Sequence, residues 1–242
     1  MHLKVKNRLE ANITIEFALI IATCVIITAI FSVIYFVVQN YYKNQLVSKY
    51  KDASAVIFQA VSKSQTENGK LTTWDYGDKQ TQEKFAWIYI TPYMDIGNDC
   101  GIRKNEGCFA PKTYYKYLNG TKSGTIFDET QGYKFVHRAG MSFYISYVPN
   151  CVQHRQRCFD IYVDVNGPKR GPSQFGRDLF LFYAYPFTNE VKPFGVYSND
   201  KNSYDPLTNR WKPYPYKSDC KRSGWGATCG TKIMSEGFEM KY

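Results

Sequence analysis

Residues 11–38 read ANITIEFALIIATCVIITAIFSVIYFVV, a single glutamate, Glu16, followed by 22 uncharged residues from Phe17 to Val38. As a helix rising about 1.5 Å per residue the run is ~33 Å long, against a bilayer core ~30 Å thick. It is expected to span a membrane. A secretory signal peptide has a shorter apolar core and then a small-residue cleavage site; here Val38 is followed by Gln39-Asn40-Tyr41-Tyr42-Lys43, so the segment is expected to be retained. Lys4, Lys6 and Arg8 precede it against Glu10. A positive flank stays on the cytoplasmic side, which places everything after Val38 outside.

The helical pattern does not stop at the membrane. Gln39 to Ser64 contains neither Gly nor Pro, and Leu46, Tyr50, Ala53, Ile57 and Ala60 recur at spacings of four and three. That stripe is one face of a helix. One helix is therefore expected from about Ile13 to Ser64, ~78 Å long and too long for a compact domain to bury. Its first half needs lipid or other subunits, and its second half can serve as the spine of a globular head. Asn68-Gly69 is the stop signal.

Beyond the spine, Trp74-Asp75 opens a polar loop, and Gln82 to Ile90 reads as a short helix ended by Pro92, with Phe85 and Ile88 toward the core. Lys112 to Gln131 reads as surface loop, carrying the sequon Asn119-Gly120-Thr121. Strands begin near Lys134. Met141, Phe143, Ile145 and Tyr147 alternate with polar or aromatic partners, as do Phe159, Ile161, Val163 and Val165, which makes a hairpin. Asp178 to Tyr185 is apolar on both faces, the pattern of a central strand. An α+β head follows, with an antiparallel sheet over about 134–185 packed on helix 39–64. Phe187 to Gly226 has no periodicity and reads as a long loop, then Thr231 to Glu236 as a helical turn and Phe238 to Tyr242 as a short strand.

Seven cysteines are distributed tellingly. Cys24 lies inside the apolar run, and the other six fall as neighbours: Cys100 and Cys108, Cys151 and Cys158, Cys220 and Cys229. Six cysteines permit fifteen connectivities; the spacing favours the three local pairs, each contributing ~2–3 kcal/mol by chain entropy. Disulfides need an oxidising compartment, in keeping with an exported head. A zinc site uses cysteines closer together than these.

Net charge is +10 for the whole chain, and removing Lys4, Lys6, Arg8, Glu10 and Glu16 leaves 28 − 19 = +9. With 21 Tyr, 16 Phe and 4 Trp, such a surface can attract nucleic acid or anionic polysaccharide, or it can simply keep an external domain soluble. Catalysis has little to work with. The histidines are His2, His137 and His154, and no G-x-S-x-G, H-E-x-x-H or phosphate-binding glycine loop is present. The chain is not expected to be an enzyme. Asp164, Asn166 and Asp178 offer oxygens of the kind calcium takes, but the EF-hand pattern is missing, and an Asn-Gly turn capped by aspartate is the other reading. No other cofactor is implied.

The basic leader, the string Ala11-Asn12-Ile13-Thr14-Ile15-Glu16 and the apolar helix resemble the N-terminal motif of type IV pilins and type II secretion pseudopilins. Ala11 stands where that family usually has Gly, and Asn12 where it has Phe or Met. Further along, the D-x-N-G turn from Asp164, the P-x-x-x-G-x-D-x-F run from Pro172 to Phe180, WDY at Trp74 and the final Cys229-x-x-x-Ile233-Met234 extend the resemblance over most of the chain. It implies a leader of residues 1–11 removed by a prepilin peptidase between Ala11 and Asn12, methylation of Asn12, an assembly helix over 12–38 and a head over 39–242. It also implies a bacterial inner-membrane location, an assembly platform as partner, and pairing of Glu16 with the terminal amine of a neighbouring subunit in a filament. The alternative is a single-pass anchor, with a fortuitous Glu16, whose ectodomain binds anionic polymers.

Overall fold

A computed structural model describes residues 2–103, 107–111, 115–124, 127, 132–168, 173–196, 204–205, 210–211 and 219–242, with residues 2–16, 204–205 and 210–211 as backbone only. The elements are helices α1 (His2–Asn68), α2 (Gln82–Tyr89) and α3 (Cys229–Ser235), and strands β1 (Ile96–Gly101), β2 (Tyr115–Lys116), β3 (Tyr133–His137), β4 (Ser142–Tyr147), β5 (Phe159–Asp164), β6 (Ser173–Gln174), β7 (Leu179–Tyr185), β8 (Glu190–Pro193), β9 (Tyr204–Asp205) and β10 (Arg210–Trp211). The chain divides into two compact units, residues 1–45 and 46–242. The first is helix alone. From Phe17 to Tyr42 every side chain is exposed.

In the second unit the last part of α1 buries Tyr50, Ala53, Ile57, Ala60 and Val61 completely or nearly so. Tyr50, Ala53, Ile57 and Ala60 are stripe positions, Val61 adjoins them, and Leu46, the first of the stripe, is half-buried. The Tyr50 ring lies 4.3 Å from Phe180 and 5.9 Å from Phe182, and Phe58 meets Phe182 edge-on at 6.0 Å. The helix thus packs on β7. It ends at Asn68 because Gly69, at φ +81°, takes the left-handed conformation in which its N–H reaches the Gln65 carbonyl at 3.0 Å.

Six strands form one sheet in the order β1-β3-β4-β5-β7-β8, every neighbouring pair antiparallel. Its strands bury alternate residues on each face. Phe143, Ile145, Phe159, Ile161, Val163, Phe180 and Phe182 join the core under α1, while Leu181, Tyr183 and Tyr185 build a separate cluster on the other side of β7. All seven residues of β7 are buried, as two covered faces require.

The sheet is wider than the alternation indicates. β1 adds an edge strand through Asp99↔Phe135 and β8 another through Ala184↔Val191. β1 was illegible because its register shifts twice and its residues are mostly polar. Residues 112–131 are surface loop only in part where they are described: residues 119–122 and Gly124 are exposed, but other positions turn inward. Tyr115 and Phe127 are buried with Phe109, Tyr144 and Phe175, and β2 pairs with β6. In α2 the inward residues are Phe85, Ala86 and Tyr89, while Ile88 is exposed. Trp74 explains the choice, because its ring stacks between Tyr89 at 4.6 Å and Phe159 at 5.8 Å. Phe238–Tyr242 forms no strand; Phe238, Met240 and Tyr242 pack instead on the main core.

Candidate functional site

The segment Phe17–Val38 lies within the one helix, among the described residues, that is long and apolar enough to cross a membrane. Its hydroxyl side chains make local bonds to the helix backbone. Thr23 donates to the Ile20 carbonyl at 2.8 Å, Thr28 to Val25 at 2.9 Å and Ser32 to Thr28 at 2.8 Å. A hydroxyl bonded this way has its proton satisfied within the helix and needs no outside acceptor. Cys24 is an exposed free thiol on the same segment. Ala11, Asn12 and Glu16 belong to the α1 backbone, and their side chains lie outside the described residues.

In the head, three disulfides join Cys100 to Cys108, Cys151 to Cys158 and Cys220 to Cys229. These are the local pairs favoured by spacing. The first begins in edge strand β1, the second spans the β4–β5 connection, and the third ties the chain before α3 to its first residue.

Asp164, Asn166 and Asp178 are brought together between β5 and β7. Asp164 Oδ1 accepts from the Asn166 N–H at 3.0 Å, and its Oδ2 accepts from Ser173 Oγ at 2.7 Å and the Tyr115 hydroxyl at 3.2 Å. Asp178 accepts from the Gln174 N–H, from Asn166 Nδ2 at 3.1 Å and from Arg177 Nη2 at 2.7 Å. Lys49 on α1 donates to Asn166 Oδ1 at 3.3 Å. Each oxygen of the trio faces a donor, so the arrangement acts as a clamp that holds two connections to the sheet and to the helix. Gly167, at φ +72°, is required there, since a Cβ would fall 2.1 Å from the Gly140 carbonyl oxygen. Burial, with the Asp178 carboxylate nearby, pushes Asp164 up to about 7 against the pull of its three donors. Burial raises Asp178 as well, opposed chiefly by Arg177.

The two histidines whose side chains are described, His137 and His154, lie apart in the sheet and in the β4–β5 connection. His137 Nδ1 accepts from the Ala139 N–H at 3.1 Å, and burial lowers its pKa; His154 is exposed. Among the described residues no group of three or more His, Cys, Asp or Glu is placed to hold a metal ion. One constellation went unread in the sequence. Asp219 and Trp225, both inside the unperiodic tail, form an ordered loop closed by Cys220–Cys229; the signal available was Asp next to Cys, with Gly-Trp-Gly between the two cysteines.

The chain matches no protein-family model, no curated protein and no solved structure. What it does has to be argued from its own residues.

Proposed function

We propose that this protein is a subunit of a type IV pilus or type II secretion-like filament, assembled through its N-terminal helix. The observation that carries the reading is the division of labour within α1, whose residues 17–42 are exposed while residues 50–61 supply the core of the head. Apolar surface of that extent is stable only against lipid or against other helices of its kind. The disulfide-bonded antiparallel sheet at the end of such a helix, and the motifs at Ala11–Glu16 and Asp164–Phe180, support the same reading.

In this mechanism the subunit waits in the bacterial inner membrane with its N-terminus in the cytoplasm. A prepilin peptidase cuts between Ala11 and Asn12, and the assembly platform moves the helix from lipid into a filament core. Glu16 offsets the new terminal amine of a neighbour. A carboxylate inside a membrane costs ~2.5–3.5 kcal/mol unless paired, so its retention is explained by a partner. The test is Glu16→Leu in cells with an active prepilin peptidase. The variant is expected to insert and form its three disulfides yet fail to cross-link to neighbouring subunits; cross-linking at the wild-type level overturns the mechanism. Mass spectrometry of the N-terminus is expected to find methylated Asn12, and finding only Met1 rejects processing.

A further inference from the structure

Two loops, residues 115–124 and 219–228, are joined by backbone hydrogen bonds from Leu118 N–H to the Trp225 carbonyl at 2.9 Å and from Asn119 N–H to the Gly224 carbonyl at 3.0 Å. Trp225 is 63% exposed. Its ring nevertheless has a fixed place, stacked on Tyr117 at 5.6 Å and 27°, with Tyr117 stacked in turn on Phe175 at 5.6 Å and 25°.

The loop that carries Trp225 is locked. The Asp219 carboxylate accepts from the backbone N–H of Trp225 at 2.9 Å, of Gly226 at 3.2 Å and of Thr228 at 2.9 Å, and from the Thr228 hydroxyl at 3.2 Å. The Cys220–Cys229 disulfide closes the same loop. Gly226, at φ +84°, sits where a Cβ would come within 2.5 Å of the Phe175 carbonyl oxygen. A tryptophan that served packing alone would be turned inward; this one is held rigidly with most of its surface in water.

Charge completes the picture. The two loops carry Lys116, Lys122, Lys221 and Arg222, none of which forms an ion pair with a described residue. Their one carboxylate, Asp219, is taken up by four internal donors. Lys116 and Lys122 stand opposite each other in a backbone bridge. A pre-ordered aromatic step, on loops whose four cations form no ion pair with a described residue, fits a ligand that offers flat rings and regularly spaced anions together, which is an unpaired nucleic-acid strand. A duplex hides its ring faces, and an anionic polysaccharide lays only C–H groups of saturated rings on an indole, without the π–π overlap that a base provides.

We propose that Trp225 and Tyr117, with Lys116, Lys122, Lys221 and Arg222, bind single-stranded nucleic acid, bases stacking on the indole and phosphates meeting the cations. The inference is independent of whether the chain assembles. The experiment uses the full chain in detergent micelles and fluorescein-labelled oligothymidylate of about twenty nucleotides, long enough for a platform of ~4–16 nucleotides, read by anisotropy. Trp225→Ala is expected to weaken binding about tenfold or more, the change that ~1.4 kcal/mol of lost stacking gives. Trp225→Phe, which keeps a ring, retains more of it. The double change Lys221→Ala with Arg222→Ala is expected to weaken binding and flatten its salt dependence. An abasic oligomer of equal length decides the point on the unaltered chain. Equal affinity for abasic and base-bearing strands overturns stacking, as does wild-type affinity in Trp225→Ala. Duplex DNA or polygalacturonate binding as tightly as oligothymidylate also overturns the proposal and gives the surface to that polymer.

Discussion

Two stretches of the same helix obey opposite rules. Phe17 to Val38 carries no charged residue and buries nothing, whereas Leu46 to Ser64 is apolar along one stripe and buries it completely or nearly so from Tyr50 to Ala60. The difference shows what decides where apolar surface goes. A helix with one apolar face can finish its burial within its own chain, on β7. A helix with no polar face can be satisfied only by a surrounding that is itself apolar.

That contrast breaks most visibly if a charge is placed on the stripe. Ile57→Asp puts a carboxylate at a position with no exposed surface in the apolar core, and the head is expected to lose ~3–5 kcal/mol or fail to fold. Near-ultraviolet circular dichroism checks it. Ile57→Ala leaves a cavity instead and is expected to cost ~2–5 kcal/mol, measured by urea denaturation with the disulfides intact. Replacing Cys220 and Cys229 together by alanine is expected to cost ~2–3 kcal/mol and to free the loop that holds Trp225, so proteolysis should cut there first.

The clamp sharpens the comparison through pH. A free aspartate titrates near 4, while Asp164 is raised to about 7 in the fold. Between those values the native state holds a proton that the unfolded chain has released. Stability from this group is therefore full below about pH 4 and is lost as pH rises through about 7. Head stability is expected to fall over that window by up to a few kcal/mol, and Asp164→Asn is expected to flatten the fall; an unchanged slope in the variant sinks the assignment. The smallest effect belongs to the other stretch. Ile27→Ala, at a site 51% exposed, is expected to leave head stability within ~0.5 kcal/mol.

Much of this was readable in advance, because periodicity reports burial. The stripe from Tyr50 to Ala60, the alternation in β4 and β5 and the doubly apolar β7 each carry a period set by the surface they face. Reading failed where burial is not periodic. β1 is broken by register shifts, β8 is four residues long, and Tyr115 and Phe127 are buried by long-range contacts that leave no local pattern. Ile88 was misplaced since Tyr89, not Ile88, completes the stack on Trp74. In the clamp, the grouping of Asp164, Asn166 and Asp178 was legible; that their oxygens are turned to Ser173, Tyr115, Gln174 and Arg177 was not, because those partners are set by the meeting of β5 and β7. Trp225 was hidden in a tail with no period at all.

The three disulfides close loops with sequence separations of 8, 7 and 9 residues. Each second cysteine follows its partner so closely that the ring needs only a short stretch of chain to meet itself. Mispairing would require loops of some forty residues or more, which entropy closes less readily. The rings can therefore close independently of one another, each from its own short stretch of chain and without waiting for the sheet to form.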